Sequence, residues 1–314
     1  MAESYGSHAE GEGTVASGYI AHAEGYYTTA YGGKSHAEGY QTVAKGEGCH
    51  AEGGNTIAGP DENTDPVEWY SHAEGRNTKA TGKNSHSEGF DSIAKGNASH
   101  AEGHKTVARG DYSHAEGYSE YTEDKSLELK YTIDGAEKKY SVIGEAVKKG
   151  AHVEGGSCTA YGERAHAEGR ETIAVGNGAH AEGYRTIAVS GSSHAEGDGT
   201  VAHGTNAHSE GCKTIAQGQY SHAEGHSTLA KADYSHASGF NTKATASCQT
   251  AIGKYNKENS SALFIVGNGT SDTARKNAFE VISNSSGSAI KIGNTTLTEA
   301  QLIKLINFID TIEG

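Results

Sequence analysis

Proline occurs twice in 314 residues, tryptophan once, methionine once and phenylalanine five times. With apolar residues at only 34%, the chain lacks the bulk for a conventional close-packed core. No apolar run approaches the eighteen or so residues of a membrane helix, and the opening MAESYGSHAEG has neither the basic nor the apolar region of a secretion signal. The expectation is no membrane insertion. Four cysteines (Cys49, Cys158, Cys212 and Cys248) show neither CxxC spacing nor paired positions, which argues against a zinc knuckle and a disulfide framework. Basic residues are short as well: 26 Lys and Arg face 40 Asp and Glu, for a net charge of −14. That sign disfavours a nucleic-acid partner.

What the chain has in excess is glycine, 44 residues, without the Gly-X-Y period of collagen. A Ser-His-Ala-Glu-Gly motif places histidine at 8, 22, 36 and 50, at 72, 86, 100 and 114, and at 152, 166, 180, 194, 208, 222 and 236. Within each block the spacing is 14. Eight extra residues separate His50 from His72, and 24 separate His114 from His152. A repeat this regular excludes simple disorder and reads as a solenoid.

One unit runs Ser35-His36-Ala37-Glu38-Gly39-Tyr40-Gln41-Thr42-Val43-Ala44-Lys45-Gly46. Two short alternating segments, each closed by glycine, predict two strands and two tight turns per rung, the glycines supplying positive φ. Neither segment has the length or the 3.6 period of a helix. Alternation puts Ser, Ala and Thr inside, filling a narrow interior with little apolar volume, and turns His and Glu outward. Removing the fourteen motif Glu from the 40 acidic residues leaves 26, equal to the Lys and Arg total, so the whole negative excess sits on the His/Glu face. Stacked carboxylates repel unless imidazoles share hydrogen bonds with them. This face is therefore read as a buried, self-complementary ladder, represented by His36, Glu38, His100, Glu102, His180, Glu182, His222 and Glu224. Pairing should raise the His pKa and depress the Glu pKa.

The 14-residue unit, and above all the variant rung Thr250-Ala251-Ile252-Gly253, resembles the head repeat of trimeric autotransporter adhesins. The resemblance spans roughly residues 4 to 256 and implies a left-handed parallel β-roll and a homotrimer packed through the His/Glu face. Similar repeats resemble segments of phage and prophage tail fibres. Leu263–Thr270, Asn277–Val281 and Ile290–Gly293 resemble the short β region that follows such repeats. The 56 residues after the last rung are too few for a membrane barrel, which favours a virion tail fibre over a bacterial surface adhesin head.

The expected fold is thus an all-β, left-handed parallel β-roll, with residues 1–256 as repeat shaft and 257–314 as a C-terminal trimerisation module. Insertions fall at about 59–69 and 119–150. Thr298 opens a capping box, and Leu302, Leu305, Ile306 and Ile309 form one helical stripe suited to a trimer clamp. The first insertion carries both prolines and Trp69 beside Tyr70. The second alternates around Asp134-Gly135 as a hairpin projecting from the shaft, with Tyr131 and Tyr140. These four aromatics are the candidate contacts to a host glycan or protein, with Trp69 equally able to cover the roll. Aromatic and basic residues after the motif glycine, such as Tyr26, Tyr40, Arg76 and Phe90, form a further edge column.

Histidine in bulk raises a Zn²⁺ or Ni²⁺ hypothesis, but uniform repetition favours a structural ladder over one exceptional site, so no metal and no cofactor are expected. Ser and His lie on opposite faces of the strand, which leaves no catalytic set, so no enzyme is expected. The expected function is host attachment, with other tail components as partners. An ice-binding solenoid is the alternative from another class, because Thr14, Thr28, Thr42, Thr56 and Thr78 recur in register.

Overall fold

The structure is a computed structural model that describes residues 1–61, 69–120, 126–133, 135–284 and 287–313. Pro66 in the first insertion and Asp134 at the hairpin turn lie outside the described residues. The chain is an all-β parallel β-solenoid ending in one helix, and it divides into two compact units, residues 1–130 with 137–179 and residues 131–136 with 180–314.

In the first unit each rung contributes one strand to each of two parallel sheets. His36–Tyr40 lies between His22–Tyr26 and His50–Gly54, every residue opposite its own counterpart, as in His36↔His50 and Glu38↔Glu52. Val43–Ala44 lies likewise between Thr29–Ala30 and Ile57–Ala58. The insertions leave this frame intact, since His50 pairs with His72 and His114 with His152.

The interior is filled as alternation requires. Ala37, Thr42 and Ala44 are fully buried and Ser35 nearly so. Hydroxyls in this narrow core turn back on the chain: Ser35 Oγ donates to the Gly32 carbonyl at 2.6 Å and Thr78 Oγ1 to the Glu74 carbonyl at 2.9 Å.

The motif glycine supplies positive φ as expected, at Gly25 (φ 113°), Gly39 (φ 105°) and Gly53 (φ 100°) for example, but the tight left-handed turns are built differently. Left-handed turn positions are mostly held by other residues, including Tyr27 (φ 55°), Lys34 (φ 57°) and Arg164 (φ 54°). Glycine is retained where rungs approach most closely. A Cβ on Gly32, whose φ is not positive, would lie 1.9 Å from the Gly46 carbonyl oxygen. On Gly39 (φ 105°) it would lie 2.2 Å from that of Gly53. At the motif glycine positive φ and stacking distance act together, while at Gly32 stacking distance acts without it.

The hairpin expected to project is instead covered. Its strands, Leu127–Ile133 and Ala136–Val142, form a separate two-stranded sheet. In the first unit Leu129 and Val142 are buried, and Tyr161 Oη donates to the Ser141 carbonyl at 2.7 Å. In the second unit Tyr131 and Ile133 are buried, with the Tyr131 ring 6.2 Å from that of His203. The alternation that suggested a hairpin is the alternation of a strand with one apolar face, and that face is laid down.

The second unit continues the pattern from His180–Tyr184 onward. Parallel pairing extends past the expected boundary at residue 256: Thr250–Lys254 pairs with Ala262–Asn268, Ala251 facing Ile265. Ala262 and Ile265 join the same buried alanine column as Ala251. Residues 257–314 are therefore not a separate module at their start. The change of architecture comes at the antiparallel strands Asn277–Asn284, Gly287–Ile292 and Thr295–Thr298. Helix Glu299–Glu313 follows with the expected cap: Gln301 N–H donates to Thr298 Oγ1 at 3.3 Å and Thr298 N–H to Gln301 Oε1 at 2.9 Å.

Candidate functional site

The alternation that buries Ala37 leaves His36 and Glu38 half-buried on the outer face, and the same holds rung after rung. Because counterparts pair in register, the imidazoles stack. In the first unit, ring centroids of His36 and His50 are 4.8 Å apart, those of His50 and His72 are 4.7 Å apart and those of His72 and His86 are 4.8 Å apart, with planes within 4°. In the second unit, His194 and His208 stack at 4.8 Å and 3°. The stack loosens at the first rung, where His8 and His22 tilt by 56°.

A column of carboxylates runs beside the imidazoles. His36 Nε2 lies 3.6 Å from Glu38, His100 Nε2 3.8 Å from Glu102, and His180 Nε2 3.8 Å from Glu182. His222 departs from the expected pairing, meeting Glu210 of the preceding rung at 3.2 Å, while Glu224 faces His236 at 3.5 Å. Apart from His222, these separations exceed a good N–H···O bond. Nε2 of His36, His50, His72, His86, His100 and His114 is shielded from solvent without a hydrogen-bond partner. At these six histidines stacks of like groups take the place of the alternating imidazole–carboxylate hydrogen bonds expected from sequence, while His222 keeps one with Glu210.

This arrangement reverses the expected histidine electrostatics. Burial first, and the neighbouring imidazoles second, hold His50, His72, His114, His152 and His194 below their ordinary range. The carboxyl of Glu52 is pushed up to about 7, chiefly by its hydrogen bond with Glu74, then by burial and by Glu38. Elsewhere the expected direction holds. Glu196 is lowered through its hydrogen bond with Glu182, and Glu224 through that with Ser238. Glu52 is thus pushed in the opposite direction to Glu196 and Glu224, its nearest influences being other carboxyls of the column.

The candidate contact aromatics separate. Tyr70 is exposed, with a φ of 45°, and Tyr140 is half-buried. Tyr131 is buried and cannot present a binding surface. Trp69 packs against the alanine core with Lys83 Nζ 5.7 Å from its ring centre, so it covers the coil. The edge column stacks on itself, Tyr26 on Tyr40 at 5.5 Å and Arg76 over Phe90 at 5.6 Å. Leu305, Ile306 and Ile309 of the terminal helix are exposed and Leu302 is half-buried. Thr14, Thr28, Thr42, Thr56 and Thr78 are buried, so these five offer no exposed face to ice.

One feature escaped the motif reading. Glu145 occupies the position of Val107 in the next rung, buried and held by Arg109 through Nε and Nη2, both at 2.8 Å. The frame alone marks it, as the one acidic residue at a position where most rungs carry Val or Ile and the others Thr, Lys or Leu.

No curated protein matches the chain. Residues 9–35 and 167–189 match the YadA head domain repeat, so the solenoid carries repeats similar to those of that adhesin head.

Proposed function

We propose that the chain is a non-enzymatic attachment protein, a left-handed β-roll assembled as a homotrimer through its His/Glu face, in a phage or prophage tail fibre. The observation that carries this reading is the half-exposed His/Glu face that recurs along the rungs within each unit, in a chain with two stretches similar to the YadA head repeat. In a trimer that face would be covered, and the exposed Leu305, Ile306 and Ile309 would meet on the same axis. Tyr70 and Tyr140 are the aromatics left to contact a host glycan or protein.

Light scattering should give the mass of three chains, and a monomer at every concentration would remove the trimer. Labelled protein should bind bacterial cells in a strain-dependent way, competed by their surface polysaccharide. Binding to animal cells or extracellular matrix instead would favour a bacterial surface adhesin head, the second reading, which the YadA repeats themselves support. Depolymerisation of those glycans would overturn the non-enzymatic assignment.

A further inference from the structure

We propose that the ladder is an array of divalent transition-metal sites, each formed by the carboxylate of one rung with the imidazoles of that rung and the next. The ligand atoms of His50, Glu52 and His72 all lie within 4.8 Å of one another, as do those of His72, Glu74 and His86. Nε2 of these three histidines is shielded from water and has no hydrogen-bond partner, a costly state for a ring nitrogen. The nearest carboxylate oxygens stand 3.6 Å from His50 and 3.8 Å from His72. Those distances are long for a hydrogen bond, yet close to the roughly 3.3–3.5 Å between two ligands of one tetrahedral ion with bonds of about 2.0–2.2 Å. The two imidazoles of a group stand further apart, their parallel rings stacked 4.7 Å between centres for His50 and His72 and 4.8 Å for His72 and His86, so closing the set requires the rings to turn and bring their nitrogens together by more than about an ångström.

The donor set selects the metal. Two imidazole nitrogens and one carboxylate oxygen suit Zn²⁺, Ni²⁺ or Cu²⁺, whereas Ca²⁺ and Mg²⁺ prefer all-oxygen shells. A cation here also relieves the mutual repulsion of Glu52 with Glu38 and Glu74, its neighbours in the carboxylate column. Uniform repetition, which disfavours one exceptional metal rung, is what an array requires. Because His72 belongs to two neighbouring groups and has one Nε2, adjacent sites cannot both fill. Fifteen column histidines at two per ion allow at most seven ions per chain. All ligands of a site come from one chain, so the inference does not depend on the trimer or on host attachment.

The test is zinc titration of the untagged full chain after EDTA treatment and desalting, by calorimetry and by equilibrium dialysis with elemental analysis. More than one and at most seven Zn²⁺ per chain are expected, with the histidine ring resonances shifting in the NMR spectrum. The His50→Gln/His72→Gln/His86→Gln variant should lose at least one ion, while His203→Gln, outside the column, should lose none. If the triple variant fails to fold, Co²⁺ added to the unaltered chain decides, through the absorption of a nitrogen-and-oxygen tetrahedral site. Less than one ion per chain would overturn the proposal. So would zinc uptake that leaves the ring resonances unmoved, or uptake unchanged in a folded triple variant.

Discussion

Two adjacent glycines separate the demands of rung stacking from those of composition. At Gly53 (φ 100°) a Cβ would lie 2.1 Å from the Gly75 carbonyl oxygen, whereas at Gly54, whose φ is not positive, it would meet nothing within 4 Å. The contact at Gly53 is more than an ångström inside van der Waals distance, and its partner is backbone, which cannot swing aside. Relief requires the rungs to part, at the expense of neighbouring bonds such as Gly54 N–H to the Gly75 carbonyl at 2.8 Å. Overpacking of about 1–3 kcal/mol and backbone strain of about 1–3 kcal/mol together give roughly 2–6 kcal/mol for Gly53→Ala. Gly54→Ala should change stability by no more than about 0.5 kcal/mol. A stack of repeats need not unfold in one step, so the assay is site-resolved hydrogen exchange. Gly53→Ala should accelerate exchange at residue 54 and at Asn77, whose N–H donates to the Gly54 carbonyl at 2.8 Å, by roughly thirtyfold or more. Equal protection in the two variants would refute the claim that rung spacing, and not glycine content, sets the repeat.

Acidification should destabilise the metal-free protein. His50, His72, His114, His152 and His194 have folded pKa values below the ordinary 6.5, so their contribution is present above that value and is lost as pH falls through the folded ones; Glu52, raised to about 7, opposes this by losing its contribution as pH rises through 7. With EDTA present, Tm at about pH 5 should lie below that at about pH 7.5, and the reverse order would show that the histidines are stabilised as cations. Arg109→Ala strands the buried Glu145 carboxylate and should cost about 3 kcal/mol in chemical denaturation, with Glu145→Gln in the same background recovering part of it. In the native protein Cys248, which is exposed, should react rapidly with a disulfide reagent, while buried Cys49 and Cys158 react only on unfolding; burial also pushes the Cys158 thiol up. Equal rates at all three would contradict the burial.

The rung was legible because it depends on nearest neighbours. A period of two assigns Ser35, Ala37 and Thr42 to the inside and His36 and Glu38 to the outside, and a period of 14 stacks each on its copy, so burial and register follow from counting. The hairpin strand Leu127–Ile133 shows where counting stops. Its alternation correctly gives two faces, but whether the apolar face projects or lies down depends on a distant surface, and the burial of Leu129, Tyr131 and Ile133 supplies what the pattern could not. Pairing also outruns the motif: the motif ends with Thr250–Lys254, yet Ala262–Asn268 pairs beside it, because a parallel ladder needs backbone and a buried inward residue rather than His or Glu.

The electrostatics of the ladder failed for a subtler reason. Within one rung His36 and Glu38 are neighbours of opposite sign, and a single rung would pair them. In the stack each imidazole gains another imidazole at about 4.8 Å on either side, and each carboxyl gains further carboxyls, so repetition turns one favourable pair into two columns of like groups. The column can shed that repulsion by leaving imidazoles neutral and letting carboxyls share protons, or by admitting cations between the columns. Both routes favour neutral imidazole, whose nitrogen then competes between proton and metal. The EDTA-treated and zinc-loaded proteins should therefore differ most in Tm near neutral pH and converge as acid protonates the imidazoles, and a difference that persists undiminished at acid pH would place the zinc outside the ladder.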